Sequence, residues 1–288
     1  MMLQEGKPLD IGEIVLHHTA DGYSIDFYPM GEISWHRWPD IHLGSMTLNL
    51  TPTKHVVFLA LAAFLVFLTM WLAGRSLTKQ RAGQNAPRGF GAAIEGLVLF
   101  VRDEIAIANI GHGGARFAPL IMTLFFLILY SNLLGLIPYG ASPTGNLAVT
   151  AALAIVVFFV VEIAGFIKLG ARGYVRTIFP VMPGLSGPGA MVMSIAMAPI
   201  EVVGKIVKPF ALAVRLFGNM TAGHFVILSL FGIVFLFGHL GVWSYGIAGV
   251  TMALVVAIML LELFVAVLQA YVFALLAAVF IGLMQHEH

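Results

Sequence analysis

An all-α membrane protein is the fold class this sequence predicts, on three observations. Of its 288 residues, 60% are hydrophobic and only 10% are charged, against about 25% charged in a soluble globular domain. The mean hydropathy is +0.96. Apolar stretches of the roughly 20 residues that a bilayer crossing needs recur between short basic segments. The pattern predicts about five to six hydrophobic helices, including a membrane hairpin and two long tilted C-terminal helices, plus one amphipathic interfacial helix. Fifteen Lys and Arg against 14 Asp and Glu leave a net charge of +1, which argues against nucleic acid as the main partner. With no cysteine, disulfides, thiolate metal sites and a cysteine nucleophile are excluded.

Residues 1–53 form a polar acidic tail, with Glu5, Asp10, Glu13, Asp21, Asp26, Glu32 and Asp40 against Lys7 and Arg37. No basic stretch followed by a short apolar core opens it, so no cleavable signal peptide is expected. Leu9–Leu16 is a weak candidate for a short interfacial helix. Residues 54–288 read as a single membrane domain. Its first span is His55–Gly74, followed by the basic residues Arg75, Lys79, Arg81 and Arg88. Phe90–Ile110 places Ile94, Leu97, Val98 and Val101 at helical spacing among Glu95, Arg102, Asp103 and Glu104, the pattern of a helix lying at the membrane surface.

No charge falls between Arg116 and Glu162, a stretch long enough for two spans. Pro138–Gly145 supplies the turn between helices near Phe117–Ile137 and Asn146–Ile167. A second basic loop follows at Lys168, Arg172 and Arg176, and Pro180–Gly189 reads as irregular. Two long helices close the chain, about Ala190–Gly238, bent at Pro209, and Ser244–Met284. At about 1.5 Å per residue they exceed a perpendicular crossing, so strong tilt is expected. No internal repeat supports an inverted-repeat transporter. Basic loops stay on the cytoplasmic side, which puts the acidic tail outside and the C-terminus inside.

Charged and polar groups inside apolar helices are costly and mark function. Arg215 lies midway along the first long helix and keeps its charge at any accessible pH, so it must meet water, a carboxylate or both. At about 100° per residue, Asn219, Lys208 and Glu201 project within about 40° of it, with Lys205 close by. Glu262 and Gln269 share a face of the last helix. With Gln269 level with Arg215 in antiparallel packing, Glu262 and His224 lie about 10 Å and 13 Å above that level, at similar depth. A His–Glu pair in a membrane cavity handles protons near neutral pH.

Plainer readings stand beside these. Arg215 would pair structurally with Glu262 or Glu162, and His224 would be a packing donor. Asn219 and Gln269 would be interhelical glue, and Gly218 and Gly223 would permit close helix approach. Lys205 and Lys208 would snorkel to the interface, where Glu162 would also sit. His17-His18 and His286-Glu287-His288 read as solvated tails rather than metal ligands. Neither a metal nor a cofactor is expected.

The run Arg215-Leu-Phe-Gly-Asn219-Met-Thr-Ala-Gly-His224 closely resembles the signature of subunit a of F-type ATP synthases. The resemblance extends over about residues 45–285. Ala118-Pro-Leu with Tyr130-Ser-Asn132-Leu-Leu-Gly-Leu-Ile-Pro138 is similar to the family's hairpin, Glu201 and Lys208-Pro209 precede the arginine at the family's spacing, and Leu268-Gln269-Ala270-Tyr271-Val-Phe273 matches its C-terminal motif. The resemblance implies a stator beside a rotating ring of c subunits, with peripheral-stalk b subunits and the remaining synthase subunits as partners, in a bacterial inner membrane. Arg215 would be the essential arginine. Asn219, His224, Glu262 and Gln269 would line the outer half-channel with Asn132 nearby, and Glu201 the inner one. Well-known bacterial members carry an acid where His224 stands and a histidine where Glu262 stands, so the pair is exchanged here. Gly135 replaces an acid of some relatives. No G-x-x-x-x-G-K-[ST] loop is present, so the chain is expected to carry no catalytic site of its own. The competing readings are a secondary transporter clamping an anionic solute with Arg215 and a purely structural scaffold.

Overall fold

The computed structural model describes residues 20–27, 31–43, 46–49, 51–81, 90–111, 113–137, 140–180, 188–237 and 241–286. The segments Leu9–Leu16, His17-His18, Glu287-His288 and most of Pro180–Gly189 lie outside them. The chain is an all-α membrane protein. Its helices are α1 (Lys54–Arg81), α2 (Phe90–Phe100), α3 (Gly114–Leu136), α4 (Leu147–Ile178), α5 (Pro188–Leu236) and α6 (Val242–His286). All but α2 are long and apolar enough to cross a membrane. Helix α2 continues through a π-helical stretch, Val101–Ile107, into a last turn at Ala108–Ile110. Along this continuation Val101, Ile105, Ala106 and Ile110 are buried while Arg102, Asp103 and Glu104 are exposed, the two faces expected of an amphipathic helix.

The chain divides into two compact units. The first comprises Met1–Leu61, Ser131–Asn146 and Phe217–Val267. Its N-terminal portion holds two antiparallel hairpins that the sequence reading did not anticipate. Strands β1 (Ser24–Phe27) and β2 (Gly31–Ser34) pair with Ser24 opposite Ser34; β3 (Ile41–Leu43) and β4 (Met46–Leu48) pair with Ile41 opposite Leu48. Isolated ribbons this short are marginal, and contacts outside the ladders fix them. The Trp35 indole donates to the Pro52 carbonyl at 2.7 Å, the Trp38 N–H to the Thr51 hydroxyl at 2.8 Å, and Arg37 stacks over the Tyr23 ring. In the hairpin turn, Ser142 bonds Thr144 at 2.8 Å and the Ser131 carbonyl at 3.2 Å.

The second unit comprises Ala62–Tyr130, Leu147–Leu216 and Leu268–His288. Lipid is as apolar as leucine, so packing here rests on close approach and polar contacts rather than on water exclusion. Accordingly α6 turns a face of small residues inward: Ala270, Ala274, Ala277 and Ala278 are fully buried. On α3, Ile121, Leu124, Phe125, Phe126 and Ile128 are buried, and the Tyr130 hydroxyl meets Thr69 at 2.6 Å. The outward faces carry exposed Phe67, Trp71, Phe159 and Phe166, which lipid accommodates and water would not.

Two basic segments expected as loops are helical instead. Helix α1 runs through Arg75 to Arg81, and α4 runs through Lys168, Arg172 and Arg176 to Ile178. The break expected after Ile167 is a kink at Gly170, whose φ of 68° lies in the left-handed region open to glycine. Beyond it the chain re-enters the helix, because Tyr174 and Thr177 find polar partners while Arg172 and Arg176 stay exposed.

Candidate functional site

Helix α5 presents an uncovered apolar stripe, Ile200, Val203, Val207, Phe210 and Val214, spaced three or four residues apart. Arg215 and Asn219 are exposed as well. Among the described residues the Arg215 guanidinium takes part in no ion pair. Its backbone carbonyl accepts a hydrogen bond from the Gln269 amide at 2.9 Å, and Gln269 is itself buried. The register that sets Gln269 level with Arg215 is therefore present. Glu162, offered as a structural partner for the arginine, is engaged elsewhere, by Tyr174 and Lys205.

Glu262 faces His224. The carboxylate Oε1 lies 3.5 Å from the imidazole Nδ1, an ion-pair distance without hydrogen-bond geometry. The Glu262 side chain is only 3% exposed, and neither of its oxygens nor His224 Nε2 has a hydrogen-bond partner among the described residues. A Cβ on Gly223 would come 2.7 Å from that Oε1, so the glycine makes room for a carboxylate rather than for a helix backbone. Gly218 meets open space.

Asn132 is fully buried, with both its polar atoms bonded. Its amide donates to the Ala266 carbonyl at 3.2 Å, and its Oδ1 accepts from the Thr144 hydroxyl at 2.5 Å.

Glu201 lines an open cleft of about 520 Å³ with Lys205, Lys208 and Glu162 among apolar side chains that include Phe158 and Phe280. Glu162 lies about two turns before the break at Gly170, near the end of the first of the two helical stretches of α4, as expected. The Tyr174 hydroxyl, brought back by the Gly170 kink, donates to Glu162 Oε2. Lys205 Nζ lies 3.6 Å from the same oxygen, donates to Thr177 at 2.9 Å and stands over the Tyr174 ring. Lys208 is exposed with its ammonium over the Phe280 ring.

The family model described as ATP synthase A chain matches residues 56–282. ATP synthase subunit a 2 of Chlorobaculum tepidum is 43% identical over 97% of this chain and 74% of its own length. ATP synthase subunit a of Chloroherpeton thalassium is 44% identical over 94% and 77%, and that of Myxococcus xanthus 48% identical over 84% and 76%. The chain belongs to the ATP synthase subunit a family.

Three features of the chain escaped the sequence reading. Gly223 was noted as a small residue, but its role toward Glu262 needs the α6 register. The Glu162–Tyr174–Lys205 cluster needs the kink, whose one local signal is Gly170 between Leu169 and Ala171. The third is a contact of Asp21 in the acidic tail with His55 at the start of α1.

Proposed function

We propose that this chain is the stator subunit of the ATP synthase membrane sector, coupling proton flow to ATP synthesis through two aqueous half-channels and one fixed arginine. Its partners are the ring of c subunits, the peripheral-stalk b subunits and the remaining synthase subunits; nucleotide chemistry belongs to those partners. It sits in a bacterial inner membrane with the acidic N-terminal residues outside and the C-terminus in the cytoplasm. Residues 54–288 act as one membrane domain.

One observation carries this reading: Arg215 is an exposed permanent cation beside an uncovered apolar stripe, with no carboxylate among the described residues paired to it. A charge at that depth calls for a carboxylate from elsewhere, and an apolar face beside it suits a hydrophobic partner. The guanidinium would draw an arriving ring carboxylate into its ionised form and block direct passage between half-channels. His224 and Glu262, with Asn219 and Gln269, would serve the outer half-channel. Asn132 would hold the hairpin turn beside that channel, and Glu201 with its cleft would serve the inner one.

Because the chain has no cysteine, single thiols report contacts cleanly. A thiol at Val214, paired with one beside the carboxylate of the ring subunit, is expected to form a disulfide in the assembled complex, which requires Cα atoms within about 7 Å. An assembled complex that gives no cross-link from either Val214 or Phe210 contradicts the reading.

A further inference from the structure

Glu201 and Lys205 stand four residues apart on α5 with the acid on the N-terminal side, the spacing and order that favour an ion pair along a helix. Both line the same cleft, so no difference of face separates them. Yet among the described residues Glu201 takes part in no ion pair. The ammonium goes to α4 instead. Lys205 Nζ lies 3.6 Å from Glu162 Oε2, donates to the Thr177 hydroxyl at 2.9 Å and stands 4.7 Å from the centre of the Tyr174 ring. The Tyr174 hydroxyl donates to the same Glu162 oxygen and so orients it.

These contacts come from both sides of the kink at Gly170: Glu162 precedes it, and Tyr174 and Thr177 follow. The Lys205 and Glu162 side chains are 11% and 15% exposed, so salt screens this pair far less than one at the surface. Few other charges face Glu201. Lys208 lies about 10 Å farther along α5, with its ammonium 5.7 Å from the Phe280 ring. Helix α4 brings Glu162 to the cleft, and α6 brings Phe280, Leu283 and Met284, none of which titrates. Lys205 is thus the cation within helical reach of Glu201, and three groups of α4 hold it away.

We propose that Glu162, with Tyr174 and Thr177, is a positioning residue that withholds Lys205 from Glu201 and so leaves Glu201 free to exchange protons. Glu162 itself exchanges none. A carboxylate with an ammonium beside it gives up a proton readily and takes one up poorly. Uptake from the cytoplasm, the step that ATP-driven pumping demands, is therefore the direction that the Glu162 contacts protect. Synthesis runs the other way, and a paired cation does not hinder release. The inference rests on the reading that Glu201 serves the inner half-channel.

The test is ATP-driven proton pumping by inverted vesicles carrying the whole complex, whose cytoplasmic face meets the medium. Rates are counted per assembled complex and followed against the pH of the medium. Glu162→Gln keeps an acceptor for Tyr174 and frees Lys205. It is expected to slow pumping about fivefold, the factor that an ion pair of ordinary strength imposes. The loss should be smallest in acid medium and complete in alkaline medium, where protons are scarce. Lys205→Met alone removes the cation and is expected to pump well above the Glu162→Gln rate. Adding Lys205→Met to Glu162→Gln should restore pumping, although that chain has lost both halves of the contact. Glu201→Gln is measured alongside. If Glu201→Gln slows pumping while Glu162→Gln pumps normally at every pH, the withholding role is overturned and the inner path stands. Equal slowing by Glu162→Gln, Lys205→Met and the double variant also overturns it, in favour of a clamp that only holds the helices together. Normal pumping in Glu201→Gln overturns the inner path and the inference together.

Discussion

Glu262 and Glu162 both sit on long apolar helices, 3% and 15% exposed, yet their oxygens meet opposite surroundings. Glu162 accepts from Tyr174 and faces the ammonium of Lys205, which is itself held by Thr177. Glu262 has an imidazole at 3.5 Å, no hydrogen bond to either oxygen among the described residues, and a glycine cleared to make room for it. A carboxylate saturated by partners stabilises the packing around it. One left unsatisfied in an apolar helix costs free energy, and such costs persist where function requires them. The difference is the one the proposal requires, a structural role at Glu162 and proton exchange at Glu262.

Exchanging the roles would break that contrast, and the largest effect falls at Glu262. Glu262→Gln is expected to cut proton-driven ATP synthesis about a hundredfold while leaving thermal stability of the purified complex unchanged or higher. Next is Gly223→Ala. Its Cβ would stand 2.7 Å from Oε1 and 2.9 Å from the carboxyl carbon of Glu262, atoms at the end of a flexible side chain, so the carboxylate moves and the backbone does not. Synthesis should fall about tenfold with little loss of stability; a normal rate would show that the position of Glu262 is not critical.

Glu162→Gln should do the reverse. It keeps an acceptor for Tyr174 but removes the charge facing Lys205, costing about 1–2 kcal/mol in a thermal melt with synthesis close to normal. The smallest effect is acid release at Asp21. Burial pushes its carboxyl up, but the contacts with His55 and the Gly22 N–H outweigh it and hold it below the ordinary 3.8, so this link at the start of α1 is complete above that value and is lost as pH falls through the lower folded-state value. Faster amide exchange at Gly22 and Lys54 should begin only below about pH 3.8.

The spans, the hairpin and the two long helices are legible because apolar length alone fixes them. The two pairings on the last helices are legible for a similar reason. Gln269 with Arg215 and Glu262 with His224 follow from helical rise once antiparallel packing is assumed. What stayed hidden depends on tertiary contacts. The strands at 24–34 and 41–48 are too short to show a period, and Trp35 and Trp38 hold them through Pro52 and Thr51. The second half of α4 carries the charges of a loop, yet Tyr174 and Thr177 make it a helix by bonding Glu162 and Lys205. The burial of Asn132 depends on Thr144 and Ala266, the latter distant in sequence.

The central claim is the proposal that Arg215 is a fixed charge awaiting a ring carboxylate, since no described residue of this chain pairs with it. The direct measurement is proton flux through vesicles carrying the assembled complex with Arg215→Ala. The account predicts loss of both ATP-driven pumping and ATP synthesis, with a passive proton leak in place of coupled transport. Coupled transport at the normal rate would contradict it and leave Arg215 as a structural residue.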